Sequence, residues 1–167
     1  MNDRTVELLA LERAAGLPFH HIHGAGRDYQ RIMDALDKQN INAREGDLQV
    51  REYIYDMPLV MAAADVVLCR AGASTISELT AIAKPSVLVP SPNVTANHQE
   101  KNARVLEKQG AAVVLLEQDS SGQALFDTVS GLLADVQGRD AMVRALNSIS
   151  TPDAGETIYR VLLDLMK

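Results

Sequence analysis

The chain has 167 residues, 47% hydrophobic and 23% charged, which is enough for one globular domain with a real core. A net charge of −6, no tryptophan and 4% aromatic residues argue against a general nucleic-acid binder and against a base-stacking platform. The single cysteine, Cys69, excludes a disulfide framework and fits a reducing compartment, while no apolar run reaches the roughly 18 residues of a membrane span.

In chain order, Thr5 to Ala15 carries Val6, Leu9 and Ala10 at helical spacing and stops at Gly16. Leu17-Pro18 reads as a connector, and Phe19 to His23 as a strand ended by Gly24-Ala25-Gly26. Tyr29 to Leu36 is predicted as a helix with Ile32, Met33 and Leu36 on one side. Leu48 to Ile54 alternates as a strand, and Met57 to Ala64 is a short helix with Pro58 in its first turn. Val66 to Cys69 is a β-branched apolar run that suits a parallel strand covered on both faces. A glycine turn at Gly72 follows, then Thr75 and Glu78 at capping-box spacing, so a helix is expected to open at Thr75. Lys84-Pro85 ends that helix.

Ser86 to Val89 reads as a buried strand, Pro90 to Asn93 as a loop, and Asn97 to Lys108 as a helix closed by Gly110, with Asn97 and Glu100 at cap spacing. Ala112 to Leu116 is the last predicted strand. Helices follow near Ser121 to Ala134, Arg139 to Ser148 and Gly155 to Met166. Strands alternating with helices predict an α/β fold: a parallel, Rossmann-like sheet with helices on both faces, in one domain over residues 1–167.

The stretch from Val66 to Leu79 carries the first functional expectation. A strand, a glycine turn and a helix start together form an anion site, most often for phosphate. The amides of Ala73, Ser74 and Thr75 are candidates to meet a diphosphate or sugar hydroxyls, and the structural alternative is a plain capping box. Arg70 reads either as a phosphate clamp or as the partner of a neighbouring acid. Cys69 reads as a small core residue. His21 and His23 of the "HHIH" cluster share a strand face, but no cysteine or suitably spaced acid completes a metal set, so no metal is expected. Asp34 and Asp37 read as a solvated helix face.

The segments "CRAGASTISEL", "PSVLVPSP" and "NHQEKNA", with "YIYDMPLVMAAAD" upstream, resemble the donor-binding half of the MurG family of bacterial N-acetylglucosamine transferases. The resemblance runs over the whole chain. It implies the carboxy-terminal domain of a two-domain GT-B glycosyltransferase, with the lipid acceptor and the catalytic base supplied by an amino-terminal domain. The resemblance further implies that the family domain's first strand, with its Gly-Gly-Ser loop, has no counterpart before Met1. The sheet is then expected to close up, to pair between chains or to be irregular, and self-association through it is a partner expectation.

By the same resemblance, UDP-N-acetylglucosamine is the ligand. Main-chain groups at Ile54 would face the uracil, and Ala73, Ser74, Thr75, Ile76, Ser77 and Glu78 would surround the diphosphate and ribose. Glu78 would accept from the ribose hydroxyls, and Gln99 would bond the sugar hydroxyls. His98 reads either as a surface residue or as a contact to the sugar or a phosphate. No cofactor and no catalytic residue is expected here. The chain alone is expected to lack transferase activity, since transfer to lipid I would need the other domain. The intact enzyme is expected at the cytoplasmic face of the plasma membrane. A separate donor subunit, a non-catalytic nucleotide-binding module and a GT-B epimerase are the alternatives.

Overall fold

The structure, a computed structural model, describes residues 1–16, 19–151 and 153–166. The Leu17-Pro18 connector lies outside the described residues. Among the described residues eight α-helices and five strands alternate along most of the length: α1 (Asn2–Ala14), β1 (His21–Gly24), α2 (Tyr29–Asp37), β2 (Leu48–Arg51), α3 (Met57–Ala63), β3 (Val67–Cys69), α4 (Ala73–Ala81), β4 (Ser86–Leu88), α5 (His98–Lys108), β5 (Val113–Val114), α6 (Gly122–Ala134), α7 (Val136–Ile149) and α8 (Ala154–Leu165).

All strand pairs are parallel, but they do not form one sheet. β1 pairs with β2, His21 opposite Leu48 and His23 opposite Val50. Separately, β3, β4 and β5 form a ladder in that order. Among the described residues β1 is bonded only to β2 and β3 only to β4, so each keeps one edge without a ladder partner. The sheet expected from the alternation is therefore present as two pieces, and it does not close up. Each strand is also shorter than the apolar run that announced it, because the ladder ends where no neighbour continues.

Helix α1 joins the two pieces. Its adjacent residues Leu8 and Leu9 are fully buried in different clusters. Leu8 packs with Val89 of the three-stranded side and Leu125 of α6. Leu9 packs with Ile32, Met33, Leu36, Leu48 and Val50 of the two-stranded side. Neighbouring helix positions point about 100° apart, so one helix seals both cores. Its approach to α6 is close: a Cβ built on Gly122 would lie 2.2 Å from Cβ of Glu7, and the Gly122 N–H donates to Glu7 Oε2 at 3.0 Å. The largest core lies around Leu79, Val87, Leu88, Leu106, Met142 and Leu146, contributed by α4, β4, α5 and α7.

Several expected helix starts are corrected: α1 opens at Asn2, ahead of Thr5. α4 opens at Ala73, not Thr75; Gly72 is its N-cap in extended conformation, and no side chain caps it. The Thr75–Glu78 capping box is thus absent, because both residues already lie inside the helix. Asn97 does precede α5, but in left-handed conformation (φ 51°), and its side-chain amide donates to Glu100 Oε2 at 2.6 Å instead of capping the backbone. Ser121 and Asp135 do cap, accepting from the N–H groups of Ala124 (3.1 Å) and Gly138 (2.8 Å). The Asp135 cap starts α7 three residues ahead of the predicted Arg139. Helix α8 buries none of its side chains and exposes Ile158, Val161, Leu162 and Leu165. Among the described residues no helix is long and apolar enough to cross a membrane.

Candidate functional site

Parallel strands send all their carboxyl ends the same way, and the amino end of α1 fixes the two pieces to a common rim. The Asn2 amide donates to Ala25 O (3.2 Å) and Asp28 Oδ2 (2.7 Å) just past β1. Arg4 pairs with Glu117 just past β5. The loops after every strand therefore converge along one edge, the ordinary place for a ligand in an open α/β fold.

On this rim the best-formed element is the turn from β3 into α4. Gly72 supplies no side chain, so the amides of Ala73, Ser74 and Thr75 open α4 without an intrahelical acceptor or a capping oxygen. Ala73, Ser74, Ser77 and Glu78 are exposed, and Thr75 and Ile76 are half-buried. The Ser77 hydroxyl donates back to Ala73 O at 3.0 Å. The Glu78 carboxylate makes no hydrogen bond or ion pair among the described residues. Its charge still reaches Cys69, where burial first and Glu78 second push the thiol up to about 12. Cys69 is thus a protonated, unreactive packing residue.

Arg70 takes the acid-pairing alternative. Its guanidinium donates to Val89 O at 3.1 Å and to the Glu117 carboxylate. Glu117 also receives Arg4 and faces the amino terminus at 3.6 Å. Burial pushes the Glu117 carboxyl up, but Arg70, the terminus and Arg4 outweigh it and hold the group below its ordinary range. Glu117 escaped the sequence reading because its partners lie 47 and 113 positions away; only its place just past the last strand pointed to the rim.

The loop after β4 adds a second helix start. Gln99 Oε1 accepts from Ser91 N–H at 2.9 Å, tying the first turn of α5 to the strand end. This leaves the Gln99 NH₂ as the group able to donate outward. Past β2, Ile54 is buried, with its side chain 3.4 Å from where a Cβ on Gly24 would stand, so its backbone is what the loop presents. Beside it lies a hollow of about 760 Å³ lined by Gly26, Arg27, Tyr29, Glu52, Tyr53 and Tyr55. The Tyr53 and Tyr55 rings meet edge-on at 4.9 Å and are 66% and 90% exposed. Sequence reasoning passed over these tyrosines, although they flank Ile54 in "YIY".

His21 stands at the start of β1, the end of the strand away from this rim, with Nδ1 2.9 Å from an oxygen of the fully buried Glu12. His23 is next on the same face, its Nε2 buried without a partner. Among the described residues no group of three or more His, Cys, Asp or Glu is disposed to hold a metal ion. Asp34 and Asp37 are exposed, the latter paired with Arg44.

A bare helix start, a free carboxylate and an amide side chain thus line one strand-end rim of a parallel α/β domain, the place where folds of this class take a ligand. Residues 3–158 match the glycosyltransferase family 28 C-terminal domain, and the chain belongs to that family. It is 43% identical over 164 residues to the UDP-N-acetylglucosamine--N-acetylmuramyl-(pentapeptide) pyrophosphoryl-undecaprenol N-acetylglucosamine transferase of Acetivibrio thermocellus, covering 98% of this chain and 43% of that protein. Among solved structures it superposes on Acinetobacter baumannii MurG with a TM-score of 0.81 at 23% identity, over 98% of this chain and 45% of that one. The UDP-GlcNAc 2-epimerase of Neisseria meningitidis, solved bound to UDP-GlcNAc, shares the fold with a TM-score of 0.65 at 17% identity, over 95% of this chain and 40% of that one. The chain spans less than half the length of the curated relatives it matches.

Proposed function

We propose that this chain is a single UDP-N-acetylglucosamine-binding domain of an inverting transferase that passes N-acetylglucosamine to a lipid-linked muramoyl acceptor, making lipid II from lipid I in peptidoglycan synthesis. The carrying observation is Glu78: an exposed carboxylate without a partner among the described residues, one turn inside a helix whose first amides are bare. Such an acid can accept from both ribose hydroxyls while Ala73, Ser74 and Thr75 donate to the diphosphate. Ile76 and Ser77 complete that turn, the Ile54 backbone reads the uracil edge, and the Gln99 amide bonds the sugar hydroxyls. Helix-terminal amides also stabilise the charge that grows on departing UDP. The acceptor, and the base that activates its hydroxyl, belong to other parts of the intact enzyme, which works at the cytoplasmic membrane face. The isolated chain is accordingly inactive.

Calorimetry with UDP-N-acetylglucosamine tests the assignment. Glu78→Ala is expected to weaken donor binding by about 10- to 100-fold, the loss of a charge-assisted bond of roughly 1.5–3 kcal/mol. Equal binding by the two proteins removes Glu78 from the site. The name of the curated relative favours N-acetylglucosamine over glucose as the donor sugar. A module that merely binds nucleotide would take UDP-glucose equally well, and that result would replace the transferase reading.

Self-association accompanies this reading. The edges of β1 and β3 that lack a ladder partner, with Ile22 exposed on β1, favour pairing between copies. Sedimentation is expected to show a concentration-dependent dimer that Ile22→Lys suppresses. A monomer at every concentration tested would exclude pairing.

A further inference from the structure

We propose that the apolar face of α8 is a contact surface for a second copy of this chain, the two helices packing antiparallel about a two-fold axis at Leu162. This surface is separate from the strand edges of β1 and β3, and it does not depend on the donor reading of the rim.

The observation is a helix that has no core to lie on. None of the side chains of α8 is buried. Seven apolar residues between positions 158 and 166 stand 41–83% exposed. Ile158, Leu162 and Met166 form a ridge at four-residue spacing. Val161 and Leu165 flank it on one side, Tyr159 and Leu163 on the other. Glu156, Arg160 and Asp164 run along the opposite side at the same spacing, with the Arg160 guanidinium donating to Glu156 Oε1 at 2.9 Å. A helix of 12 residues is marginal in water on its own, so this one gains from any surface that covers the ridge.

The face matches itself. It carries no charge, so two identical faces meet without burying an ion or opposing like charges. Side chains of this size and exposure present on the order of 500 Å² of apolar surface. Two copies then remove on the order of 1,000 Å² from water, the lower limit of a specific interface and the size of a weak, exchanging pair. A bilayer surface is the poorer match. Within α8 one cation stands against two acids, whereas helices that lie on membranes carry an excess of lysine and arginine.

Overlap fixes the register. The helix dipoles favour antiparallel packing. Two antiparallel copies of the stretch 158–166 cover each other fully when they cross at its midpoint, Leu162, which sets Ile158 against Met166 of the second copy. Packed helix axes lie about 8–10 Å apart with each Cα about 2.3 Å from its axis. The two Leu162 Cα atoms then stand about 4–6 Å apart, within the span of a disulfide.

An exchanging pair is read by trapping it. Leu162→Cys with oxidised glutathione at pH 8 is expected to form a disulfide-linked dimer about tenfold or more faster than Arg160→Cys, whose thiol lies on the polar side of the same helix. Ile158→Cys and Met166→Cys are each expected to cross-link slowly alone and rapidly when mixed. The wild type, with Cys69 as its single thiol, is expected to stay uncross-linked. These positions are exposed, so all variants should melt like the wild type. Equal rates for Leu162→Cys and Arg160→Cys would mean random collision and overturn the proposal. Leu162→Cys combined with Ile22→Lys is expected to cross-link as before; loss of the cross-link there assigns the contact to the strand edges and overturns it too. So does retention of the wild type on phosphatidylcholine vesicles with no cross-link by Leu162→Cys, which gives the face to lipid. UDP-N-acetylglucosamine titration is expected to be the same for Leu162→Cys and the wild type. Failure of the cross-link therefore leaves the donor reading standing, and a chain that binds no donor leaves the α8 pair standing.

Discussion

Gly122→Ala is expected to destabilise the chain by about 3 kcal/mol, with a fall in Tm of roughly 6–12 °C. The added methyl would sit 2.2 Å from Glu7 Cβ and 3.1 Å from the Glu7 carbonyl carbon. Neither atom belongs to the free end of a flexible side chain, so α1 must move away from α6. That movement also breaks the bond from Gly122 N–H to Glu7 Oε2 and loosens Leu8 from Val89 and Leu125. Glu7→Ala offers no rescue, since it keeps the offending Cβ. Gly131→Ala, in the same helix with nothing within 4 Å of its added methyl, is the control. It is expected to stabilise by up to about 1 kcal/mol through helix propensity. Equal effects of the two substitutions in thermal or urea melts would show that the α1–α6 approach is not tight.

Acid is expected to destabilise the two-stranded side through His23. Burial, then the charge of His21, then the amino terminus lower its pKa from 6.5 to about 4. Below pH 6.5 the unfolded chain binds a proton that the folded chain refuses. Stability is therefore full above pH 6.5, falls as the pH drops, and levels off near pH 4 with about 3 kcal/mol lost. The orphaned Nε2 has no partner to offset this. His23→Leu places an aliphatic side chain opposite Val50 and removes the titration. Urea unfolding of the two proteins between pH 4 and 8 should diverge only below pH 6.5. Parallel curves would show that His23 charges freely in the folded chain. The lowered carboxyls of Asp28, Asp37 and Glu117 act lower on the scale, and both proteins share them.

Local order was legible where a segment's own residues decide it. Helices α2, α5 and α6 begin and end within one or two positions of their apolar spacing, because periodicity, caps and breakers all lie inside the segment. The division of the sheet was not, since pairing joins residues far apart and no pattern within β1 or β3 states which neighbour is present. At the candidate site, the α4 turn was recognisable from Gly72 and the apolar run before it. Its actual start was not, because Thr75 and Glu78 look like a cap whether or not they cap. The fate of Arg70 was decided by Glu117 across 47 positions, and the Gln99–Ser91 bond by the path of a loop. Ile54 was placed by resemblance, and the tyrosines beside it declare themselves only once two strand ends are seen side by side.

Because one rod-like segment is wedged between two of the hydrophobic clusters, it works as a spacer. Its girth at positions 8 and 9 sets how far the end of β2 stands from the end of β3, and so the distance between the Ile54 loop and the bare start of α4. Changes of bulk at Leu8 or Leu9 would shift these two strand ends from beneath, without altering any residue on the rim itself.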